Sequence, residues 1–405
     1  MKTPLPALAA LCLPLCLSAL APRPACGQEL LDQLGELLTV SAFRDQVRAK
    51  LGGLSDTEAY YFERPAPGLA DTTNRALFNP RLSLFLDVQV GPSVYAFAQA
   101  RLDRGFDPSD HGAQLRLDEY ALRYTPWEDG RLSVQVGKAA AVFGTWTGRH
   151  LSWDNPFVNP PLPYDNTTAA ADQEVVENRR ELGRFDAEEK YEYLPVVWSA
   201  AYTTGLTISG RRGKFDYAAE IKNAALSSRP ESWDATRIGF DHPSLNARLA
   251  YRPSLAWTLG LSAGEGAYLR PEARPDLPSG RGIGDYRQYV LGQDVSFAVG
   301  RWQVWAEAME SRFELPRFGN LDTFSYYVEA RYKFTPQLFG ALRWNQQATA
   351  DIPGQAASRD SRRVDVAGTY RFTEHMQIKL QYSFLDGDEI SGEGSTAAAQ
   401  FTVRF

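Results

Sequence analysis

Cysteine is almost missing from this chain and is confined to its beginning: Cys12, Cys16 and Cys26 are the only three. Beyond them there is no disulfide framework and no thiolate for redox or nucleophilic chemistry. Histidine is nearly as sparse. The four present, His111, His150, His242 and His375, form no HExxH pair and none sits on a strand beside a serine, which argues against a transition-metal enzyme and against a Ser-His hydrolase. The expectation is therefore no enzyme and no cofactor. After residue 27 no stretch approaches the roughly 18 uninterrupted apolar residues of a membrane-spanning helix. With a formal net charge of -6 there is no reason to expect a nucleic-acid partner. A mean hydropathy of -0.35 would suit a large soluble protein. Averages, however, cannot register an apolar band that alternates residue by residue with a polar one.

The one long apolar run opens the chain. Residues 1–27 carry Lys2, an apolar stretch over 5–20, and small residues Ala25 and Gly27 around Cys26, which predicts a secretory signal peptide cut before Gln28, with cleavage after Ala21 as the alternative. A lipid anchor on Cys26 is disfavoured, because Arg23 stands where an aliphatic residue is needed. Residues 28–55 then form an N-terminal segment. There Leu30, Leu34, Leu37, Leu38, Phe43 and Val47 recur at helical spacing, predicting a short amphipathic helix over 30–51.

From there the period changes to two. In MQIKLQYSFL, residues 376–385, Met376, Ile378, Leu380, Tyr382 and Phe384 share one side of an extended chain while Gln377, Lys379, Gln381 and Ser383 share the other. The same alternation recurs through Leu82-Leu84-Leu86-Val88-Val90, Leu245-Ala247-Leu249-Tyr251 and Val364-Val366-Gly368-Tyr370. Short turns, such as Gly91-Pro92-Ser93 and Gly300-Arg301, alternate with long polar connections such as 104–113, 225–243, 314–322 and 347–361. This pattern predicts an all-β chain folded as a transmembrane antiparallel β-barrel over residues 56–405. About fifteen strands can be counted from Arg81. An even number is needed, so residues 57–64 are the best candidate for the missing first strand, giving about sixteen, with fourteen or eighteen as alternatives. A barrel of that size leaves room for an aqueous channel.

Residues 115–164 resemble a region shared by several porin-like families, among them phosphate-selective porins, alginate-export channels and a further group of large barrels. The matching pieces are Glu119-Tyr120-Ala121-Leu122-Arg123-Tyr124, residues 132–138, and Phe143-Gly144. The last strand ends on Phe405, which is similar to the C-terminal signature of Gram-negative outer-membrane barrels. That resemblance implies recognition by the barrel-assembly machinery and a home among outer-membrane lipids and lipopolysaccharide, where a homo-oligomer can form.

If the aliphatic face meets lipid, the other face lines the lumen, and its C-terminal quarter is basic: Arg331, Lys333, Arg343, Arg363, Arg371 and Lys379 come from four successive strands. Such a ladder would attract anions unless Glu329 and Asp365 neutralise it. The connection 145–195 is far longer than usual and holds ten acids against five bases, with Asp154, Asp165, Asp172, Glu174, Glu177 and Glu181 among the acids. Folded inward it is a constriction; laid over the mouth it is a lid. The expected function is a porin-like channel passing small hydrophilic solutes with an anion preference. The alternatives are a non-conducting structural, adhesive or assembly barrel, and a polysaccharide-export channel.

Overall fold

The computed structural model describes residues 24–64, 68–69, 74–103, 114–176, 193–229, 239–350, 360–387 and 393–405. Helix α1 (Pro24–Leu37) leads into a short strand, β1 (Thr39–Ala42), which turns back into β2 (Val47–Phe62). The wall continues with β3 (Ala76–Val90), β4 (Val94–Asp103), β5 (Gln114–Tyr124) and β6 (Ser133–Ala139). The chain then leaves the wall and builds a separate two-stranded piece, β7 (Thr167–Ala171) with β8 (Tyr193–Pro195). It rejoins the wall at β9 (Thr203–Arg212), followed by β10 (Phe215–Lys222), β11 (Ser244–Tyr251), β12 (Trp257–Ala267) and β13 (Arg287–Val299). The remaining strands are β14 (Trp302–Leu315), β15 (Gly319–Lys333), β16 (Leu338–Thr349), β17 (Ser361–Arg371), β18 (Met376–Gly387) and β19 (Gly394–Arg404).

Every neighbouring pair is antiparallel, and β19 pairs with β2 from Thr396↔Phe62 to Arg404↔Leu54, closing a barrel of sixteen strands. The expected strand count is therefore found. The first strand differs: it begins at Val47, ten residues before the expected start at 57, and the helix expected over 30–51 stops at Leu37. Residues 47–61 pair with β3, and that ladder, together with β-branched Thr39 and Val40, favours extended chain over the helical spacing of the leucines. β1 occupies the same edge of β2 as β19, end to end with it: Thr39 pairs with Lys50, while Phe405 and Gly53 exchange two backbone hydrogen bonds of 3.0 Å.

The burial pattern is that of a protein turned inside out. On β18, Leu380, Tyr382 and Phe384 are 47–54% exposed, whereas Gln377, Lys379, Gln381 and Ser383 are at most 5% exposed. An apolar exterior over a polar interior is stable only against hydrocarbon. At the short-turn end, aromatic pairs ring the outside, including Trp257 on Phe297 at 4.5 Å and Trp302 on Tyr332 at 4.7 Å, as expected of an interfacial girdle. The tightest turns there are two residues long. Gly213 (φ 60) and Gly300 (φ 60) each take the left-handed first position that such hairpins require. One connection expected to be long is short: β14 ends at Leu315 and β15 starts at Gly319.

Candidate pore constriction

The interior of the barrel is not an open water column. Strand β6 is only seven residues long, and beyond Ala139 the chain turns into the lumen along a series of wall carboxylates. The Ala140 amide donates to Glu119 Oε1 (3.0 Å), the Val142 amide to Glu220 Oε1 (3.2 Å), and the Thr145 and Trp146 amides both to Glu307 Oε1 (2.5 and 2.7 Å). Glu307 Oε2 also accepts from the Tyr164 hydroxyl at 2.5 Å. Backbone amides with no strand partner thus find charged acceptors, the stronger kind of hydrogen bond.

Past this entry the segment follows the wall of β15–β18. Arg149 reaches Glu329 (2.7 Å) and the Tyr327 hydroxyl (3.1 Å), its guanidinium 4.5 Å from the Trp305 ring centre. The Ser152 carbonyl accepts from Gln377 (3.1 Å) and from Lys379 Nζ, and the Trp153 carbonyl from Arg371 (3.3 Å). Arg343 donates to the Asn159 side chain (2.7 Å) and to the carbonyls of Asn159 (3.1 Å) and Pro160 (3.2 Å); Arg363 also meets the Pro160 carbonyl and pairs with Asp165 at 2.9 Å. The Val158 and Leu162 amides donate to Gln381 (2.6 Å) and Asn345 (3.2 Å). Apolar side chains seat the same segment: Phe143, Trp146, Tyr164, Val196 and Val197 pack with Leu226, Val290, Met309 and Tyr327, all buried. Fully burying a Val, Leu, Phe or Met side chain contributes roughly 1.5–3 kcal/mol, so this cluster adds its own hold on the insertion to that of the polar contacts. The water-filled lumen expected from the strand number is thus largely occupied, because inward positions such as Val290, Met309 and Phe313 are apolar and dock the loop.

The basic residues singled out in the sequence fall into three groups. Arg343, Arg363, Arg371 and Lys379 converge on the inserted segment, and Arg343 and Arg363 share Asp365 at 2.8 and 3.1 Å. Arg331 bonds Gln303 (2.8 Å) and lies between the rings of Trp305 and Phe339. Lys333 is exposed at the strand end. Of the loop acids, Asp165 pairs with Arg363 and Asp172 with Arg229 (2.7 Å), while Asp154 and Glu174 are exposed. Glu177 and Glu181 lie outside the described residues. The sequence reading put Gln377 and Gln381 on the polar side without giving them a role, and it missed Asn345 and the cations Arg149 and Arg229; inward parity could have marked Asn345.

Two titratable loop residues are shifted by their setting. Burial pushes the His150 imidazole down to about 4, its Nε2 facing the Tyr202 hydroxyl at 2.5 Å. Burial also pushes the Asp172 carboxyl up to about 6, against the opposing pull of Arg229 and Arg270. Between the segment and the wall of β2, β3, β4 and β19 a cavity of ≈ 140 Å³ remains, enough for several waters. Its charged lining is balanced: Asp56, Glu58 and Asp165 against Arg81, Arg101 and Arg363. Arg81 bridges Asp56 and Glu58 at 2.9 and 2.6 Å.

No family model and no curated protein matches this chain. Solved structures do. The chain is similar to Salmonella typhi OmpF in complex with daunomycin (14% identity, TM-score 0.60, 90% of this chain and 100% of that one covered). It is likewise similar to an anion-selective porin from Comamonas acidovorans (10%, 0.58, 89% and 100%) and to the outer-membrane channel DcaP of Acinetobacter baumannii (10%, 0.57, 90% and 100%). At these identities the likeness is one of architecture: this chain has the sixteen-stranded barrel fold of outer-membrane porins.

Proposed function

We propose that the chain is an outer-membrane, porin-like channel for small hydrophilic solutes, with the segment 145–195 as the constriction that sets its conductance. The observation that carries this reading is the anchoring of the described part of that segment, 145–176, inside the barrel by wall residues from at least six strands, leaving a cavity of mixed apolar and charged lining beside β2–β4 and β19. An inward loop narrows a lumen, whereas a lid would leave the wall arginines solvated. The cavity's charges balance, so passage is governed by size and polarity; the anion preference expected from the basic ladder is not carried by this lining, since Arg343, Arg363, Arg371 and Lys379 are held by Asp365, Glu329 and loop carbonyls. The short turns face the periplasm, and Phe405 serves as the assembly signal.

Planar-bilayer recording of refolded protein tests the reading. Small unitary steps, with reversal potentials near zero in a salt gradient, are expected. A second reading, a non-conducting barrel, draws on the apolar cluster around Phe143 and Trp146, and barrels that insert without any steps would favour it.

A further inference from the structure

At the short-turn end, three side chains from distant parts of the chain meet. Asp32 comes from α1, and Glu374 and His375 come from the turn between β17 and β18; one ligand-type atom from each lies within 4.8 Å of the others. The His375 ring is held from behind, with Nδ1 3.0 Å from the Arg404 carbonyl oxygen. A carbonyl cannot donate, so the ring proton sits on Nδ1 and Nε2 presents its lone pair. That lone pair points at Asp32 Oδ1, 2.8 Å away. A ring nitrogen and a carboxylate oxygen turned toward each other, with a second carboxylate close by, make a place for a cation.

We propose that they share a divalent transition-metal ion of the zinc class, ligated by His375 Nε2 and the Asp32 and Glu374 carboxylates, with water completing the shell. A neutral imidazole and two carboxylates neutralise the ion's charge. Metal–ligand bonds of roughly 2.0–2.2 Å in a tetrahedral shell put ligand atoms about 3.3–3.5 Å apart, so Asp32 and His375 need part only slightly. A carbonyl bonded to the far ring nitrogen is the usual support of a metal-binding histidine. The half-exposed Asp32 carboxylate and the largely covered imidazole leave a solvent-facing side for exchange.

The site would work as a clasp. Leu30 and Leu37 on α1 are exposed, and the helix makes polar contacts with the barrel rim through this cluster and through Gln28 Nε2 on Glu374 Oε1 at 3.1 Å. Metal binding would therefore fix the helix at the short-turn rim.

Untagged, full-length barrel in detergent at pH 7.5 is titrated with Zn²⁺ by calorimetry and with Co²⁺ by visible absorption. One equivalent of each should bind with micromolar affinity, and the Co²⁺ bands should show nitrogen and oxygen ligation. His375→Gln and Asp32→Asn should each weaken binding at least tenfold while the barrel keeps its heat-modifiable mobility on gels. Absence of binding would overturn the proposal. Binding undiminished in both variants would also overturn it, by assigning the ion to another place.

Discussion

Arg343 and Asp365 stand on adjacent strands with Arg343 Nε 2.8 Å from Asp365 Oδ2, both side chains fully buried, and the same guanidinium reaches across to the Asn159 and Pro160 carbonyls. One arginine thus ties wall to wall and wall to loop. Replacing it with alanine leaves Asp365 to Arg363 and the Asn345 amide and strips the loop of three bonds. Loss of one partner of a buried pair typically costs about 3–5 kcal/mol. Arg343→Ala should lower the temperature at which the barrel unfolds on gels and expose residues near 159 to protease; a variant as heat-resistant and protease-resistant as the parent would remove the clamp from the argument.

Glu307 controls the entry of the loop. Glu307→Ala strands the Thr145 and Trp146 amides and the Tyr164 hydroxyl, each at about 1–3 kcal/mol when left unpaired. The barrel strands are unaffected, so the expected outcome is a folded protein with larger or more frequent conductance steps. Steps identical to those of the parent would mean the loop does not limit flow.

Acid acts on the loop through two groups of opposite sense. His150 titrates at about 4 when seated and near 6.5 in solvent, so the released loop takes up its proton first and acid between pH 6.5 and 4 favours release. Asp172 titrates at about 6 when seated and near 3.8 in solvent, so the seated loop takes up its proton first and acid between pH 6 and 4 favours retention. In the parent the two oppose. Asp172→Asn should therefore open more readily as pH falls from 6.5 to 4, and His150→Gln less readily, both read as conductance against pH. The same response in both variants would count against this assignment.

The lipid face makes a different demand. Leu380 and Val366 point outward and are about half exposed. Arginine at either mid-wall position should destabilise assembly by about 2–4 kcal/mol, measured as yield of heat-modifiable barrel in lipid vesicles. Normal assembly of Leu380→Arg would reverse the inward and outward assignments.

Period two made the wall legible: the alternation of 376–385 assigns Leu380 outward and Lys379 inward, as observed. It failed where the period is broken or polarity is inverted. A register shift between Gln99 and Ala100 leaves Asp118 without a cross-strand partner and buries it beside Arg101 and Arg116, which no alternation can announce. Near the long-loop rim the outward face has left the lipid, so Glu310 and Arg312 point out while Met309 and Phe313 point in, and this inversion disguised the strands on either side of 316–318 as a loop. The seat of 145–176 was hidden for another reason. Its partners lie far along the chain, Thr145 being 162 residues from Glu307, and nothing local in either sequence names the other.

The joint between β19 and β2 carries a consequence for how the molecule comes into being. Gln400 meets Glu58 across 342 residues, and Phe405 completes the row that β1 begins. The cylinder cannot lose its raw edges until β19 has found β2, a contact whose loop-closure cost exceeds that of every hairpin in the wall. Until then β2 and β19 each present unpaired amides and carbonyls, open to the wrong neighbour. A circularly permuted chain opened at 104–113, with the present ends linked, would turn that last long-range encounter into a hairpin and move the late step to β4 and β5.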